Sequence, residues 1–320
     1  MTIYAGFDVG GTNARLSIYN QDWSRLASSR VRIRDSTRPE EVAQTLEGLL
    51  EELFEESDAD PADLHSVGLG VAGQMSLDGE IVVNGPNLGW RDVHFADLLR
   101  KQLDSRFGSV HVRVVNDLSA LLWGERQEGA VKGCDDVLAV YVGTGIGGAI
   151  LAHGRIIDGA GGKAGEIGHS KVAPGGRLCG CGQRGCVEAY AGGVHLERQV
   201  AEIAEAQGLT QVFRDEKRAT VDLATADRLT GEYEALDALW DRSTDYLAVV
   251  LANACTLLNP GVLLLGGGVL SNCKDFRVRT LSKTTPLILE AARDDMEIRF
   301  PSMGDDAGVL GAALLAVGSP

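Results

Sequence analysis

Over the first 33 residues apolar and polar positions alternate in short blocks: IYAGFDV and ARLSIY flank the pair Gly10-Gly11, and LASSRVRI (Leu26 to Ile33) follows. A two-residue period on either side of a glycine pair predicts a β-hairpin, which the third run extends. From Arg38 to Glu56 the apolar spacing lengthens to three and four residues, the period of a helix. SVGLGVA (Ser66 to Ala72) then reads as a buried strand, Ala96 to Phe107 as a second helix and VHVRVVND (Val110 to Asp117) as another strand. The pattern restarts at Asp136, where DVLAVYVGTGIGGAILAHGRII gives strand, glycine turn and strand up to Ile157. Helical patterns at Val194 to Gln207 and Ala235 to Leu258 follow, and Asn259-Pro260 leads into VLLLG, an apolar strand that feeds a triple glycine. The last pattern, Asp306 to Val317, is a short helix rich in alanine and glycine, suited to close packing. The repetition is one of architecture, not of sequence, and no low-complexity tether separates its halves.

Composition narrows this picture to two α/β lobes, since 320 residues exceed what one hydrophobic core usually organises and 44% apolar content can fill two. With 45 acidic against 30 basic residues the net charge is −15, which disfavours phosphate backbones and anionic lipid, so nucleic acid and membrane are expected to be poor partners. No stretch approaches the ~18 apolar residues of a membrane span, and the first twenty residues lack the plan of a signal peptide. A cytoplasmic protein is expected. Six cysteines do not make a disulfide scaffold for such a chain, and a tight cysteine cluster in a reducing compartment points to metal or catalysis.

Two stretches fit GxGxxG, namely Gly68 to Gly73 and Gly143 to Gly148, yet both run on into β-type sequence. A dinucleotide fold needs a helix N-terminus beneath the pyrophosphate and is excluded on that ground. Two glycine-tipped hairpins, DVGGT and GTGIGG, suggest another way to hold a polyphosphate, through backbone N–H groups and the hydroxyls of Thr12 and Thr144. Either loop alone is no more than a turn; the pair shifts the reading. Asp8 closes the first strand beside Gly10, where a carboxylate near phosphate calls for a cation, and an Asp–water–Mg²⁺ arrangement suits it. The plain alternative is an aspartate that caps the turn. For Asp117 the two readings, a cleft carboxylate and a cap for a helix beginning at Leu118, stand level.

These segments, DVGGT (8 to 12), VND (115 to 117), GTGIGG (143 to 148), GEIGH (165 to 169), CGCGQRGCVE (179 to 188) and LGGGV (265 to 269), together resemble the ROK family of bacterial sugar kinases, its glucokinases above all. The resemblance runs from Ile3 to Ala313. It implies the two-lobed actin/hexokinase-like fold with an interlobe cleft, a smaller lobe from residues 1–118 plus 305–320, and a larger one from 119–304 with the oligomer contacts. It further implies ATP as donor, Mg²⁺, a hexose acceptor and a homodimer or larger homo-oligomer. Asp117 then becomes the catalytic base, and Gly73, Asn116, Glu166, His169 and Glu188 hold the sugar. Gly10, Gly11, Thr12, Thr144, Gly145, Gly266 and Gly267 hold the nucleotide. The chain departs from the family in Asn13, where many members carry lysine, and in Ala72-Gly73, where Pro-Gly is common. Family repressors carry a helix-turn-helix ahead of the body, for which a first strand at Ile3 leaves no expected space.

His169-x9-Cys179-x-Cys181-x4-Cys186 supplies one imidazole and three thiolates, a closed tetrahedral set for structural Zn²⁺. The clip would fix the segment between Glu166 and Glu188, and His169 can serve twice, one ring nitrogen on zinc and the other on a sugar hydroxyl. Cys134, Cys255 and Cys273 lie outside this spacing and read as small apolar residues. Glucose phosphorylated at its 6-hydroxyl is the expected reaction. The alternatives are mannose, fructose, N-acetylglucosamine or N-acetylmannosamine as acceptor, polyphosphate as donor, and a non-catalytic sugar sensor.

Overall fold

A computed structural model describes residues 1–33, 37–215 and 220–318. In the first half of the chain, β1 (Ile3–Val9), β2 (Asn13–Tyr19) and β3 (Arg25–Arg32) form the antiparallel set read from the glycine pair. Next come α1 (Pro39–Ser57), β4 (Leu64–Val71), β5 (Gln74–Met75), β6 (Val82–Gly85), β7 (Trp90–Val93), α2 (Phe95–Phe107), β8 (His111–Asn116) and α3 (Asp117–Glu128). β4 lies parallel to both β1 and β8, which gives the sheet order β3-β2-β1-β4-β8. α1 starts with proline and two glutamates in its first turn, where a missing N–H and negative charge suit a helix N-terminus. Its buried face, Val42, Leu46, Leu49, Leu50 and Leu53 among others, follows the helical spacing.

The second half repeats the plan with β9 (Val137–Val142), β10 (Ile146–Ala152), β11 (Arg155–Ile156), α4 (Glu188–Ala191), α5 (Gly193–Gln207), β12 (Arg214–Asp215), β13 (Thr220–Val221), α6 (Leu223–Arg228), α7 (Glu234–Leu258), β14 (Val262–Gly266), α8 (Gly268–Asn272), α9 (Lys274–Thr284), α10 (Glu290–Arg293) and β15 (Glu297–Arg299). Its sheet runs β11-β10-β9-β14-β15, the order of the first sheet, with β14 parallel to β9 and to β15. The chain divides into two compact units, Met1–Asp135 with Ile150–Ala164 and Pro301–Pro320, and Asp136–Ala149 with Gly165–Phe300.

The final helix, α11 (Asp306–Val317), belongs to the first unit and packs there on α3, β1 and β4. A methyl group on Gly6 would lie 2.0 Å from the Val309 carbonyl, one on Gly68 1.9 Å from that of Ala312, and one on Gly311 1.7 Å from that of Ala120. α11 therefore meets β1, β4 and α3 backbone to backbone, which is what the alanine- and glycine-rich sequence suggested. This block fixes the C-terminal end of β1, where Asp8 stands, relative to the start of α3, where Asp117 stands. The strand read as Val110 to Asp117 stops at Asn116, because the Asn116 side chain accepts from the Leu118 and Ser119 N–H groups and begins α3. The small sheet β5-β6-β7 and the short helices α4, α6, α8 and α10 carry too few residues for a readable period. Among the described residues no helix is long and apolar enough to cross a membrane.

Candidate active site and metal centre

In the first unit the turn between β1 and β2 is closed by the Gly10 N–H on the Asn13 carbonyl at 2.9 Å, and Gly11 and Thr12 are exposed at its tip. A methyl group on Gly11 would lie 2.7 Å from the Asn87 carbonyl, so only glycine lets that loop pass so near. Asp8 stands directly opposite Arg15 in the hairpin register, and Arg15 Nη1 donates to Asp8 Oδ2 at 2.8 Å. Burial pushes the Asp8 carboxyl above its ordinary pKa, and the guanidinium opposes that shift. Asp8, Gly10, Gly11 and Thr12 thus share one hairpin end.

Asn116 and Asp117 lie where β8 passes into α3. Asn116 Oδ1 caps the helix, its Nδ2 donates to the Gly73 carbonyl at 2.8 Å, and Asp117 Oδ1 accepts from the Leu118 N–H at 2.9 Å. A cap at the start of α3, one of the two readings of Asp117, is therefore made, though chiefly by its neighbour Asn116. An amide nitrogen carries two hydrogens, so Asn116 keeps one donor beyond its bond to Gly73. Gly73 sits at φ 140°, and a methyl group there would lie 2.1 Å from the Asn84 carbonyl on β6. Gly73, Asn116 and Asp117 are thereby brought together.

In the second unit, Gly143, Thr144 and Gly145 turn between β9 and β10, and the start of α5 is fastened to them: the Gly193 N–H donates to the Gly143 carbonyl at 2.8 Å and the Val194 N–H to that of Thr144 at 3.0 Å. Gly266 is paired with Tyr141, and Gly267, at φ 93°, passes the Val142 carbonyl so closely that a methyl group would lie 2.4 Å from it. Thr144, Gly145, Gly266 and Gly267 therefore gather at one end of this sheet. Glu188, the first residue of α4, reaches back to the same turn and accepts the Ile146 N–H on Oε2 at 2.9 Å. Its side chain is 17% exposed.

The segment read as a metal clip lies on β10. Gly165 and Gly168 have no room for a side chain against the Gly148 and Ile146 carbonyls, so the short 3-10 turn Ile167–His169 rests on the strand backbone. His169 Nδ1 is 3.6 Å from Cys179 Sγ, Cys181 Sγ is 3.7 Å from Cys186 Sγ, and one ligand atom from each of the four residues fits within 4.8 Å of all the others. Tetrahedral zinc, with Zn–S near 2.3 Å and Zn–N near 2.0 Å, sets its ligand atoms roughly 3.5–3.8 Å apart. The four side chains fit zinc. With Nδ1 turned to the cysteines, His169 Nε2 lies 3.6 Å from Glu166 Oε2, while Glu188 Oε1 is 3.3 Å from Cys179 Sγ and 4.0 Å from His169 Nδ1. Glu166, His169 and Glu188 are accordingly gathered around the same cluster. Burial raises the pKa of the Cys179 thiol, a penalty that a bound divalent cation would reverse.

Four contributors escaped the sequence reading. Arg15 could have been found by counting back along the hairpin, which sets it opposite Asp8. Lys171, which donates to Cys186 Sγ at 2.8 Å, had its position beside the clip as a signal. Asn87 and Glu125 gave none, because they act through tertiary contacts far from them in sequence.

The sequence model of the ROK family matches residues 4–319. A glucokinase of Halalkalibacterium halodurans is 30% identical over 318 residues, covering 98% of this chain and 94% of the relative. An N-acetyl-D-glucosamine kinase of Vibrio cholerae is 30% identical over 327 residues, covering 98% and 100%. The crystal structure of a ROK glucokinase from Streptomyces griseus, in complex with glucose and AMPPNP, superposes with a TM-score of 0.77 at 28% identity over 98% of this chain and 99% of that one. The actin/hexokinase-like architecture that the family resemblance implied is the fold this chain shares with that structure.

Proposed function

The chain belongs to the ROK family and is a sugar kinase, and from that premise we propose that it transfers the γ-phosphoryl group of ATP to the 6-hydroxyl of glucose. The observation that carries this reading is the setting of Glu188. One of its oxygens is fixed by the Ile146 N–H at the glycine turn, and the other lies beside His169 and Cys179. The residue assigned to the sugar is thus positioned both by the turn assigned to phosphate and by the metal cluster.

Asp117 accepts the proton of the 6-hydroxyl as its oxygen attacks the γ-phosphorus, and the bond from that phosphorus to the bridging oxygen breaks to release ADP. Glu188 and His169 hold the C1 and C2 side of the ring, with Glu166, Asn116 and Gly73 completing its contacts. Gly10, Gly11 and Thr12 from one hairpin, and Thr144, Gly145, Gly266 and Gly267 from the other sheet end, present N–H groups and hydroxyls to the phosphates. Asp8 would hold Mg²⁺, through water, and the chemistry supplied there would be neutralisation of phosphate charge. His169, Cys179, Cys181 and Cys186 would hold a zinc ion whose contribution is to fix the segment from Glu166 to Glu188. The relatives named glucokinase and the glucose-bound structure support this assignment, and the family resemblance supports a cytoplasmic homo-oligomer. The test is kcat/KM for glucose, mannose, fructose, N-acetylglucosamine and N-acetylmannosamine under one set of conditions. Glucose should be best, mannose slower because its axial C2 hydroxyl misses the same partners, and both N-acetyl sugars poor. An N-acetyl sugar that equals glucose refutes the glucokinase assignment and leaves the kinase mechanism in place.

A further inference from the structure

We propose that Arg15 is a positioning residue for Asp8, holding one carboxylate oxygen so that only the other is offered to the cation that accompanies ATP; this rests on the kinase reading above. The guanidinium is shared between two carboxylates: Nη1 lies 2.8 Å from Asp8 Oδ2 and Nη2 lies 2.6 Å from Asp305 Oδ2. Arginine spans two acceptors with a rigid planar fork, which the single point charge of lysine cannot do.

The second anchor is itself held in place. Asp305 follows Ser302 and Met303, whose N–H groups donate to Glu125 Oε1 at 2.9 and 2.8 Å, and Ala130 N donates to Glu125 Oε2 at 2.6 Å. Glu125 is fully buried, so the turn that carries Asp305 is tied to α3 by a carboxyl side chain that accepts from three backbone N–H groups. On its other side Asp8 lies against the first turn of α11, where a methyl group on Gly308 would be 3.8 Å from its carboxyl carbon.

This arrangement has a chemical consequence. A carboxylate with one oxygen committed to a guanidinium is unsuited to bidentate ligation of a bare cation. It remains a good acceptor for a metal-bound water, the mode that magnesium favours. The side chains of Arg15 and Asp8 are 26% and 27% exposed and that of Asp305 is 64% exposed, so the bridge runs from the half-buried hairpin end to the surface.

The experiment is calorimetric binding of AMPPNP to the whole protein with excess Mg²⁺ and again in EDTA, for the unsubstituted chain, Arg15→Met, Arg15→Lys, Asp305→Asn, Asp8→Asn and Arg15→Met/Asp8→Asn. Loss of one charge-assisted contact predicts that Arg15→Met weakens Mg-AMPPNP binding by roughly tenfold. Binding in EDTA should stay unchanged, Arg15→Lys should recover part of the loss, and Asp305→Asn should show a smaller loss of the same kind. The double variant should bind no more weakly than Asp8→Asn alone, because Arg15 acts only through Asp8. In turnover, kcat should fall while the KM for glucose holds. Additive losses in the double variant, or an equal loss in EDTA, overturn the proposal, since Arg15 would then be structural or would touch phosphate directly. If Arg15→Met does not fold, Arg15→Lys and Asp305→Asn decide by the same criteria. An unsubstituted protein that binds no Mg-AMPPNP overturns the kinase reading and this proposal with it.

Discussion

Replacement of Glu188 by glutamine removes one charge and almost nothing else. The side chain keeps its length, and its amide oxygen can still accept the Ile146 N–H that Glu188 Oε2 accepts at 2.9 Å, so the glycine turn should hold its shape. What changes is the other end, which faces Cys179 Sγ at 3.3 Å and His169 Nδ1 at 4.0 Å and is assigned to a sugar hydroxyl. There a carboxylate oxygen becomes an NH₂ group, which donates where an acceptor is needed. Because the first oxygen is committed to Ile146, a single charge-assisted hydrogen bond to sugar is at stake. Such a bond is worth about 1.5–3 kcal/mol, or roughly 10- to 150-fold in kcat/KM. The loss should fall mainly on the KM for glucose, because the bond exists before the transition state. Coupled ADP release over a range of glucose concentrations gives both constants, and zinc content and melting temperature report whether the cluster survives. A kcat/KM within twofold of the unsubstituted enzyme would refute the argument, and so would a fall that tracks loss of zinc, because Glu188 would then act through the metal site.

Asp117→Asn should fold and bind glucose but turn over ~10²–10⁴-fold more slowly, the usual loss for a general base, and near-normal turnover in the folded variant would remove Asp117 from that role. The purified protein should carry one zinc per chain, Cys181→Ala should release it, and phosphorylation should fall although no cysteine is assigned to the sugar; elemental analysis that finds no zinc would contradict this. Burial pushes the Cys255 thiol up to about 11 and that of Cys273 up to about 12. A raised pKa keeps a thiol protonated and unreactive until the pH approaches it, so at pH 8 Ellman's reagent should label neither residue in the folded protein. Chelation should release the exposed Cys181 to the reagent.

The long elements were legible because each repeats its period over several turns or alternations: α1, α5, α7 and both glycine-turned hairpins lie close to where apolar spacing put them. The duplication was legible for the same reason, and the two sheets share one strand order. The metal cluster could be read from spacing because Cys179 to Cys186 form a local turn, in which the Cys179 N–H donates to the Gln183 carbonyl at 2.8 Å. Glu188 was harder. By itself it reads as a solvated helix residue, and only the fold carries it to Ile146, 42 positions away. Glu125 and Asn87 were illegible, since a buried acceptor for Ser302 and a loop passing Gly11 are products of tertiary packing.

The central claim is that this chain phosphorylates glucose from ATP, and the most direct measurement is ADP release coupled to a spectrophotometric readout with glucose and MgATP. ADP formation that requires glucose, matches glucose 6-phosphate mole for mole and stops when Mg²⁺ is withheld is the predicted result. A folded, zinc-loaded protein that binds glucose and MgATP yet forms no glucose-dependent ADP would contradict it.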